Sequence, residues 1–571
     1  MLEIKLEHSV KGEIRSNPNL ESLEINLKRH EDFMGVFFMF SGDVKLKGAL
    51  KTWVDDCFTT YGLDTIINLT LYQSSSNAPY WAEKTTGIVD GEQYEIEEDY
   101  SLIAFEDSEF ERKLISRADF EVEYNLSTTI DGTACAGYSD YFQDVLYRGR
   151  KDGGALEATG LGVFPFELFD HTISQLTDEN YRVFRSTALG RSDATFLSDF
   201  GFSYADDGAF AYLMITNGAF ISGFPKNTGD THDEGEVSLY VKFKELAQEF
   251  MRVGNLGLGI DKDDEGRKIV VIEPLKEFFL KEVLVEVTDL NNLKIGYDTR
   301  YFVKEINNSY QKTEQDNDFG ITEYNGKSNF ATEITIGQSL DLTNQYRADY
   351  SGLITALSNL EAGRSADGGD DVQTDNQIFF AHSYDDAGTI KTVKNEAAII
   401  PYITGIYPDA ELFFNLFITP ARKMYRHGEI IRIGLDNNDK DAIKYMNSEG
   451  ASNLESQAYN DSVHIYEKAD ADKADFYDAY LSGRTFKFDC TLSYSEIDTL
   501  IEERIGLIQF YNKNENVTSY GYIDECKIDI ISNKVDFTLL EAINLDILAR
   551  NFLTEGEENM ITEDSFILVT E

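Results

Sequence analysis

The longest strongly apolar stretch in the chain is the octapeptide Phe33-Met-Gly-Val-Phe-Phe-Met-Phe40. Eight residues fall far short of the ~20 that cross a bilayer as a helix, so no membrane span is expected. Whatever this chain folds into is assembled from short elements. There is ample material for cores, because 38 Phe, 32 Tyr and 2 Trp carry too much ring area to leave in water. At 571 residues, and about 150 residues per domain, the length points to about four domains.

The charge balance narrows the partners. Against 51 Lys+Arg stand 102 Asp+Glu, a formal net charge of −51. Wrapping a phosphate backbone takes a dense cationic surface, so specific nucleic-acid binding is not expected. The start, MLEIKLEHSV, has no basic stretch followed by an apolar one, so no secretory leader is expected. Cys57, Cys135, Cys490 and Cys526 are scattered without a CxxC pair. That pattern favours four packed thiols over structural zinc or a disulfide scaffold.

Patterning gives an α+β, β-rich chain of several small β-sandwich or barrel-like and α+β domains in one elongated subunit. Residues 1–126 read as an N-terminal α+β domain. There Ser22 to Lys28 alternates as a strand, Leu46, Leu50, Trp53 and Cys57 mark one helix face, and Gly62 stops the helix. Strands are expected at 65–72, 87–90, 100–105 and 120–126, with a polar stretch from Phe110 to Arg117. Residues 127–235 read as a linker and mixed domain, the Gly- and Asp-rich 127–160 as a long loop.

A helix-hairpin unit spans 236–284. Leu239, Phe243, Leu246 and Phe250 predict a helix over 239–253 that Gly254 caps; strands at 256–260 and 267–272 follow, then a short exit helix through Phe279. Residues 285–435 read as a β-rich domain with an acidic projecting loop at 362–372, and 436–482 as a polar, exposed excursion. The last unit, 483–571, reads strand, helix, meander; Ser493 and Glu496 form a capping-box pair before its helix. No internal repeat of 20–50 residues is visible, which argues against solenoids and propellers.

No catalytic constellation stands out. Asp261, Asp263, Glu265 and Gly266 resemble half of an EF-hand loop, but the glutamate required at position 12 is replaced by Ile272. A hairpin turn is the better reading, with weak, opportunistic Ca²⁺ binding the one cofactor expectation. Asn325-Gly-Lys-Ser328 lacks the first P-loop glycine, since Ile321 stands there. His232 beside Asp233 and Glu234 reads as a solvated loop. His427, in Pro420-Ala-Arg-Lys-Met-Tyr-Arg-His-Gly428, reads as part of a cluster making structural ion pairs or a partner contact. Carboxylate pairs able to hydrolyse glycosides occur somewhere among any 102 acids and carry no signal without geometry. No catalytic or cofactor-binding residue is assigned, and metal ligands are left open.

Several stretches in order resemble one family. They are Phe105-Glu-Asp-Ser-Glu-Phe110, Ser116-Arg-Ala-Asp119, the helix over 239–253 followed by Leu256-Gly-Leu-Gly-Ile-Asp261, and Ile269-Val-Val-Ile-Glu-Pro-Leu-Lys-Glu-Phe-Phe279. Ile295-Gly-Tyr297, Glu323-Tyr-Asn-Gly-Lys327, Leu340-Asp-Leu-Thr343 and Ile378-Phe-Phe380 continue the series. Leu412 to Arg422, Arg426-His-Gly428, Gly521 to Lys527 and Val535-Asp-Phe-Thr-Leu539 complete it. The pattern resembles tail proteins of tailed phages of Bacteroidetes-type bacteria, the crAss-like phages among them.

The resemblance implies a virion structural protein of the tail hub, baseplate or muzzle, made in the host cytoplasm and present in several copies around the tail axis. It implies other tail proteins as partners and no catalytic residues. Part of the negative charge is then expected to line the axial channel and repel exiting DNA. A receptor- or glycan-binding β-protein is the competing expectation, and a virion-borne wall or capsule hydrolase the third.

Overall fold

The computed structural model describes residues 2–16, 24–31, 33–41, 44–63, 65–73, 82–106, 109–125, 129–130, 133–134, 142–151, 154–179, 181–191, 207–217, 238–311, 327–348, 377–385, 390–392, 416–430, 444–448, 455–457, 464–467, 469–472, 476, 479–530 and 532–543. It is β-rich, with several separate small sheets and a few short helices.

Strands β1 (Leu2–His8), β2 (Gly12–Ser16), β3 (Glu24–Arg29), β4 (Val36–Ser41) and β5 (Val44–Leu46) precede helix α1 (Ala49–Tyr61). After the helix come β6 (Asn68–Gln73), β7 (Ala82–Ile96) and β8 (Ser101–Glu106). Six of the strands form one sheet in the order β2-β1-β6-β7-β8-β5. Helix α1 turns Leu50, Val54, Cys57 and Phe58 into the core, at the i, i+4, i+7, i+8 spacing of a wide apolar stripe. It ends at Gly62, whose φ of 97° suits only glycine and whose N–H donates to the Phe58 carbonyl.

The middle of the chain departs from its sequence pattern in several places. The polar stretch after Glu109 is a helix, Glu109–Ser116, that buries Phe110 and Leu114 one turn apart. Residues 142–160, expected within a loop, belong to a hairpin of Phe142–Lys151 and Gly154–Val163. The sequence between Lys151 and Gly154 is Asp-Gly, the dipeptide that favours two-residue hairpin turns. Leu239 lies in a strand, Ser238–Lys242, paired with Glu121–Asn125. Helix α2 (Phe243–Gly254) begins only at Phe243. Leu239 falls at helical spacing from Phe243 and Leu246, but with Val241 it alternates onto one buried strand face, and the strand wins. Asn255, not Gly254, takes the left-handed position after α2, with φ 54° and its N–H donated to the Met251 carbonyl.

The expected hairpin is present as β9 (Leu256–Lys262) and β10 (Lys268–Pro274), followed by a 3₁₀ turn, Leu275–Phe278. Helix α2, this hairpin and the buried helix Pro165–Thr177 share one core through Leu246, Phe250, Leu258, Ile272, Phe166 and Phe169. Where described, the 436–482 segment is less exposed than its composition suggests. Strands Lys444–Asn447 and Ala471–Asp472 join a five-stranded sheet with Val303–Asn307, and the buried Tyr445 hydroxyl donates to the Val303 carbonyl at 2.6 Å. The loop at 362–372 lies outside the described residues.

Strands β11 (Val283–Val287) and β12 (Leu290–Tyr297), the short helix α3 (Pro420–Arg426), then β13 (Leu481–Thr491), helix α4 (Tyr494–Glu503), β14 (Leu507–Asn512), β15 (Val517–Asp529) and β16 (Lys534–Ala542) complete the fold. The second large sheet runs β11-β14-β15-β16-β13-β12. Strand β3 pairs antiparallel with the far half of β15, and β4 with β3. This sheet therefore crosses the boundaries drawn at 126 and 483: the two ends of the described chain share a sheet and one core, Ile25 and Leu27 packing with Cys526, Ile528 and Phe537. Pairing between distant segments leaves no local mark, so periodicity could not reveal it.

The two large sheets contain the same unit. In each, a strand enters a helix and three antiparallel strands return, in the order β6-β7-β8-β5 and β14-β15-β16-β13. Each unit fills about sixty residues, 44–106 and 481–542, and both helices face the shared core through Leu50, Val54, Ile497 and Leu500. The repeat is one of topology rather than of sequence. The second helix carries the capping box foreseen from sequence: Glu496 N–H donates to Ser493 Oγ at 3.3 Å and Ser493 N–H to Glu496 Oε2 at 2.7 Å.

Strand β13 is bulged between Leu481 and Thr485. Gly483 sits in the bulge at φ 81°, where a Cβ would be driven into the Phe302 ring. Gly483→Ala is expected to destabilise by about 2 kcal/mol, adding left-handed strain to overpacking. An unchanged urea midpoint would refute this account of the bulge.

Candidate functional site

The richest chemistry among the described residues surrounds the basic cluster of residues 420–428. Helix α3 starts at Thr419, whose hydroxyl accepts from the Arg422 N–H, with Pro420 in the first turn. Its Lys423 is fully buried. The Lys423 ammonium donates to the Leu342 carbonyl at 2.7 Å and to Asn344 Oδ1 at 2.6 Å, and sits 4.0 Å from the centre of the Tyr310 ring. Asn344 passes the contact on. Its amide donates to Glu249 Oε2 at 2.8 Å and to the Glu249 carbonyl at 3.0 Å.

Glu249, on α2, is equally buried. Its carboxylate also accepts from the Gln345 N–H at 2.8 Å and the Tyr346 N–H at 3.0 Å, with Arg252 at 3.2 Å. Burial pushes the Glu249 carboxyl up, opposed by these donors. Burial pulls the Lys423 ammonium well down. His427 closes the cluster, Nδ1 donating to the Lys423 carbonyl at 2.8 Å; burial takes its imidazole down to about 4. Arg426 donates to the Phe417 carbonyl at 2.6 Å and stacks over the Phe417 ring. The Tyr310 hydroxyl donates to the Ile418 carbonyl.

The cluster thus ties α2, the 342–346 turn and α3 together. Its charges face carbonyls, amides and each other, not a solvent-facing cleft, so it is built to position segments. Of the alternatives the sequence left for His427, the geometry matches the structural contact, made through hydrogen bonds to backbone and amide groups. Sequence reasoning missed Glu249 and Asn344. One acid among 102 carries no local signal, and Asn344 sits in an irregular turn.

Other candidates come apart in the same way. The acidic turn 261–266 is a hairpin turn with Gly266 at φ 78°. Asp261 pairs with Arg185, and Asp263 with Arg267 at 2.7 Å while also accepting the Arg267 and Glu265 N–H groups. Glu265 meets Arg267 at 2.7 Å. Guanidinium groups therefore stand where a cation would be held. Ser328 donates its N–H to the Asn308 carbonyl at 2.8 Å and is buried, unlike a phosphate loop. Asn325 and Gly326, like His232, Asp233 and Glu234, lie outside the described residues.

Among the described residues no three His, Cys, Asp or Glu side chains are grouped to hold a metal ion, and no helix is long and apolar enough to cross a membrane. Cys57, Cys490 and Cys526 are free and buried. Burial raises the Cys490 thiol to about 12 and Cys526 well above its usual range, which makes both poor nucleophiles. Cys135 lies outside the described residues. Two buried ion pairs, Arg182–Asp170 and Arg191–Glu167, the latter at 2.9 Å, brace the helix Pro165–Thr177.

No protein-family model matches the chain, and no curated protein matches it. Among solved structures it is similar to the tail protein from Neisseria meningitidis MC58, at 8% identity and TM-score 0.36, covering 95% of this chain and 96% of that one. It is similar also to the prophage tail protein gp18 from Listeria monocytogenes EGD-e, at 8% identity and TM-score 0.35, covering 97% and 99%. A third is the 43 kDa tail protein of prophage MuSo2 from Shewanella oneidensis, at 9% identity and TM-score 0.34, covering 94% and 97%.

Proposed function

We propose that this chain is a structural subunit of a bacteriophage tail, in the hub, baseplate or muzzle region, of the kind carried by crAss-like phages. Its copies close into a ring around the tail axis, bind neighbouring tail proteins and leave a path for the genome. It acts by assembly rather than turnover.

The observation that carries the reading is the repeated unit. One chain holds two sheets with one strand order on a shared core. A subunit built this way carries two similar units, so a ring of n copies has 2n of them around its axis, in a head-to-tail arrangement that closes without a free end. The richest charged cluster is spent on holding segments in place, as a load-carrying subunit requires. The residue patterns shared with phage tail proteins supply the biological setting.

Native mass spectrometry and electron microscopy of the purified full-length chain test this directly. The expected result is one closed stoichiometry above one, with an axial opening and acidic walls. A chain that stays monomeric at tens of micromolar and binds a polysaccharide would replace the ring-former with a receptor-binding protein.

A further inference from the structure

Three polar side chains meet at one point without reaching solvent: Lys423, Asn344 and Glu249 are each 0% exposed. A lysine and a glutamate buried only as countercharges would meet directly. Here the Asn344 amide stands between them. The Lys423 nitrogen lies 2.6 Å from Asn344 Oδ1, and Glu249 Oε2 lies 2.8 Å from Asn344 Nδ2. With a C=O bond of ~1.23 Å, Nζ is then no more than roughly 3.8 Å from the amide carbon Cγ. That is close to the separation of about 3–3.5 Å from which a bond forms.

The surroundings fix this geometry. The Asn344 N–H donates to the Ser309 carbonyl at 2.9 Å, and its carbonyl accepts from the Gln311 N–H at 3.0 Å. Tyr310 lies over the lysine, and Tyr310, Tyr346 and Phe250 all pack on the Phe380 ring. Such a wall keeps bulk water from the amide.

We propose that Lys423 and Asn344 of the same chain join in an isopeptide bond, with Glu249 as the proton carrier. The Nζ lone pair attacks Cγ, and the carbonyl electrons move onto Oδ1. Glu249 gives a proton to Nδ2 and takes one from the newly attached nitrogen. The carbonyl re-forms, the Cγ–Nδ2 bond breaks with its electron pair on nitrogen, and ammonia leaves. The carboxyl ends as it began, and no outside reagent is consumed. The reacting form is a neutral amine with a protonated carboxyl. Burial favours both, pulling the Lys423 ammonium well down and pushing the Glu249 carboxyl up. Each chain reacts once, so the step is not turnover. The bond fastens α3 to the 342–346 turn across 79 positions of sequence. The inference does not depend on the tail reading and stands or falls separately from ring formation.

Peptide mapping of the purified full-length chain by mass spectrometry, after complete unfolding, tests it. The expected product is a branched peptide joining Lys423 to Asn344, lighter than its two parts by one ammonia, about 17 Da. Glu249→Gln keeps an acceptor for the buried donors but carries no proton. It should form the bond at least about a hundredfold more slowly. Lys423→Met should give no branched peptide at all. Separate Lys423 and Asn344 peptides in the wild-type chain overturn the proposal. So does a 17 Da loss without a branch, which is succinimide formation at an Asn-Gly pair. A branch that forms equally fast in Glu249→Gln removes Glu249 from the chemistry and overturns the mechanism. The wild-type map needs no substitution, so it decides even if a variant fails to fold.

Discussion

Replacing Glu249 with alanine lowers the stability of the unit around α2 and α3 by about 3–5 kcal/mol, the range for breaking a buried charged cluster from one side. The loss is large because the carboxylate serves four groups: the Asn344 amide, the Gln345 and Tyr346 N–H donors and Arg252. Without it those donors stay buried and unsatisfied, and Lys423 loses the countercharge it reaches through Asn344. Glu249→Gln should cost clearly less. Its amide oxygen still accepts, and burial already disfavours the charged form that glutamine removes. Urea unfolding of both variants separates the possibilities. Equal, small losses in both would mean that α2 and α3 are held by apolar packing and the polar cluster is incidental.

Acid should loosen the same region, and His427 sets the window. In the folded chain its imidazole is down to about 4, burial outweighing the carbonyl it donates to, against ~6.5 for an exposed histidine. Between those values the unfolded chain binds a proton that the folded chain does not. The contribution is therefore fully present above about pH 6.5 and lost as pH falls to about 4, roughly 3 kcal/mol across the window. Lys423 and Arg426 work in the same direction, since both disfavour a second cation beside them. Stability of wild type and His427→Gln, measured from pH 7 to pH 4, should differ in slope over that interval. His171, also lowered by burial, adds a slope of the same sign to both proteins. Parallel curves would remove His427 from the acid response.

What could be read from sequence was what is written locally. The capping box of α4, the Gly62 stop of α1 and the β9–β10 hairpin each rest on residues a few positions apart, and each is where the residues put it. The hairpin of Phe142–Lys151 and Gly154–Val163 was hidden by a Gly-rich composition that resembles loop. The helix Glu109–Ser116 was hidden because two buried positions, Phe110 and Leu114, are all that mark it. Tertiary pairing is hidden altogether: nothing in Glu24–Arg29 names Val517–Asp529 as its neighbour. The charged cluster was half legible, since the run of bases at 420–428 stands out in an acidic chain. Its partners Glu249 and Asn344 come from elements some 80 to 175 residues away and are recognisable only once folded.

The pairing of β3 with β15 has a consequence for how the molecule is made. A ribosome releases β3 roughly 500 residues before its partner strand exists. At about 5–20 residues per second that is a wait on the order of 25–100 s. During it the nascent β3–β4 pair carries an open flank, and Ile25 and Leu27 lack the Cys526, Ile528 and Phe537 side of their core. Maturation of this subunit is therefore gated by completion of synthesis, and early termination should yield sticky fragments rather than smaller working ones.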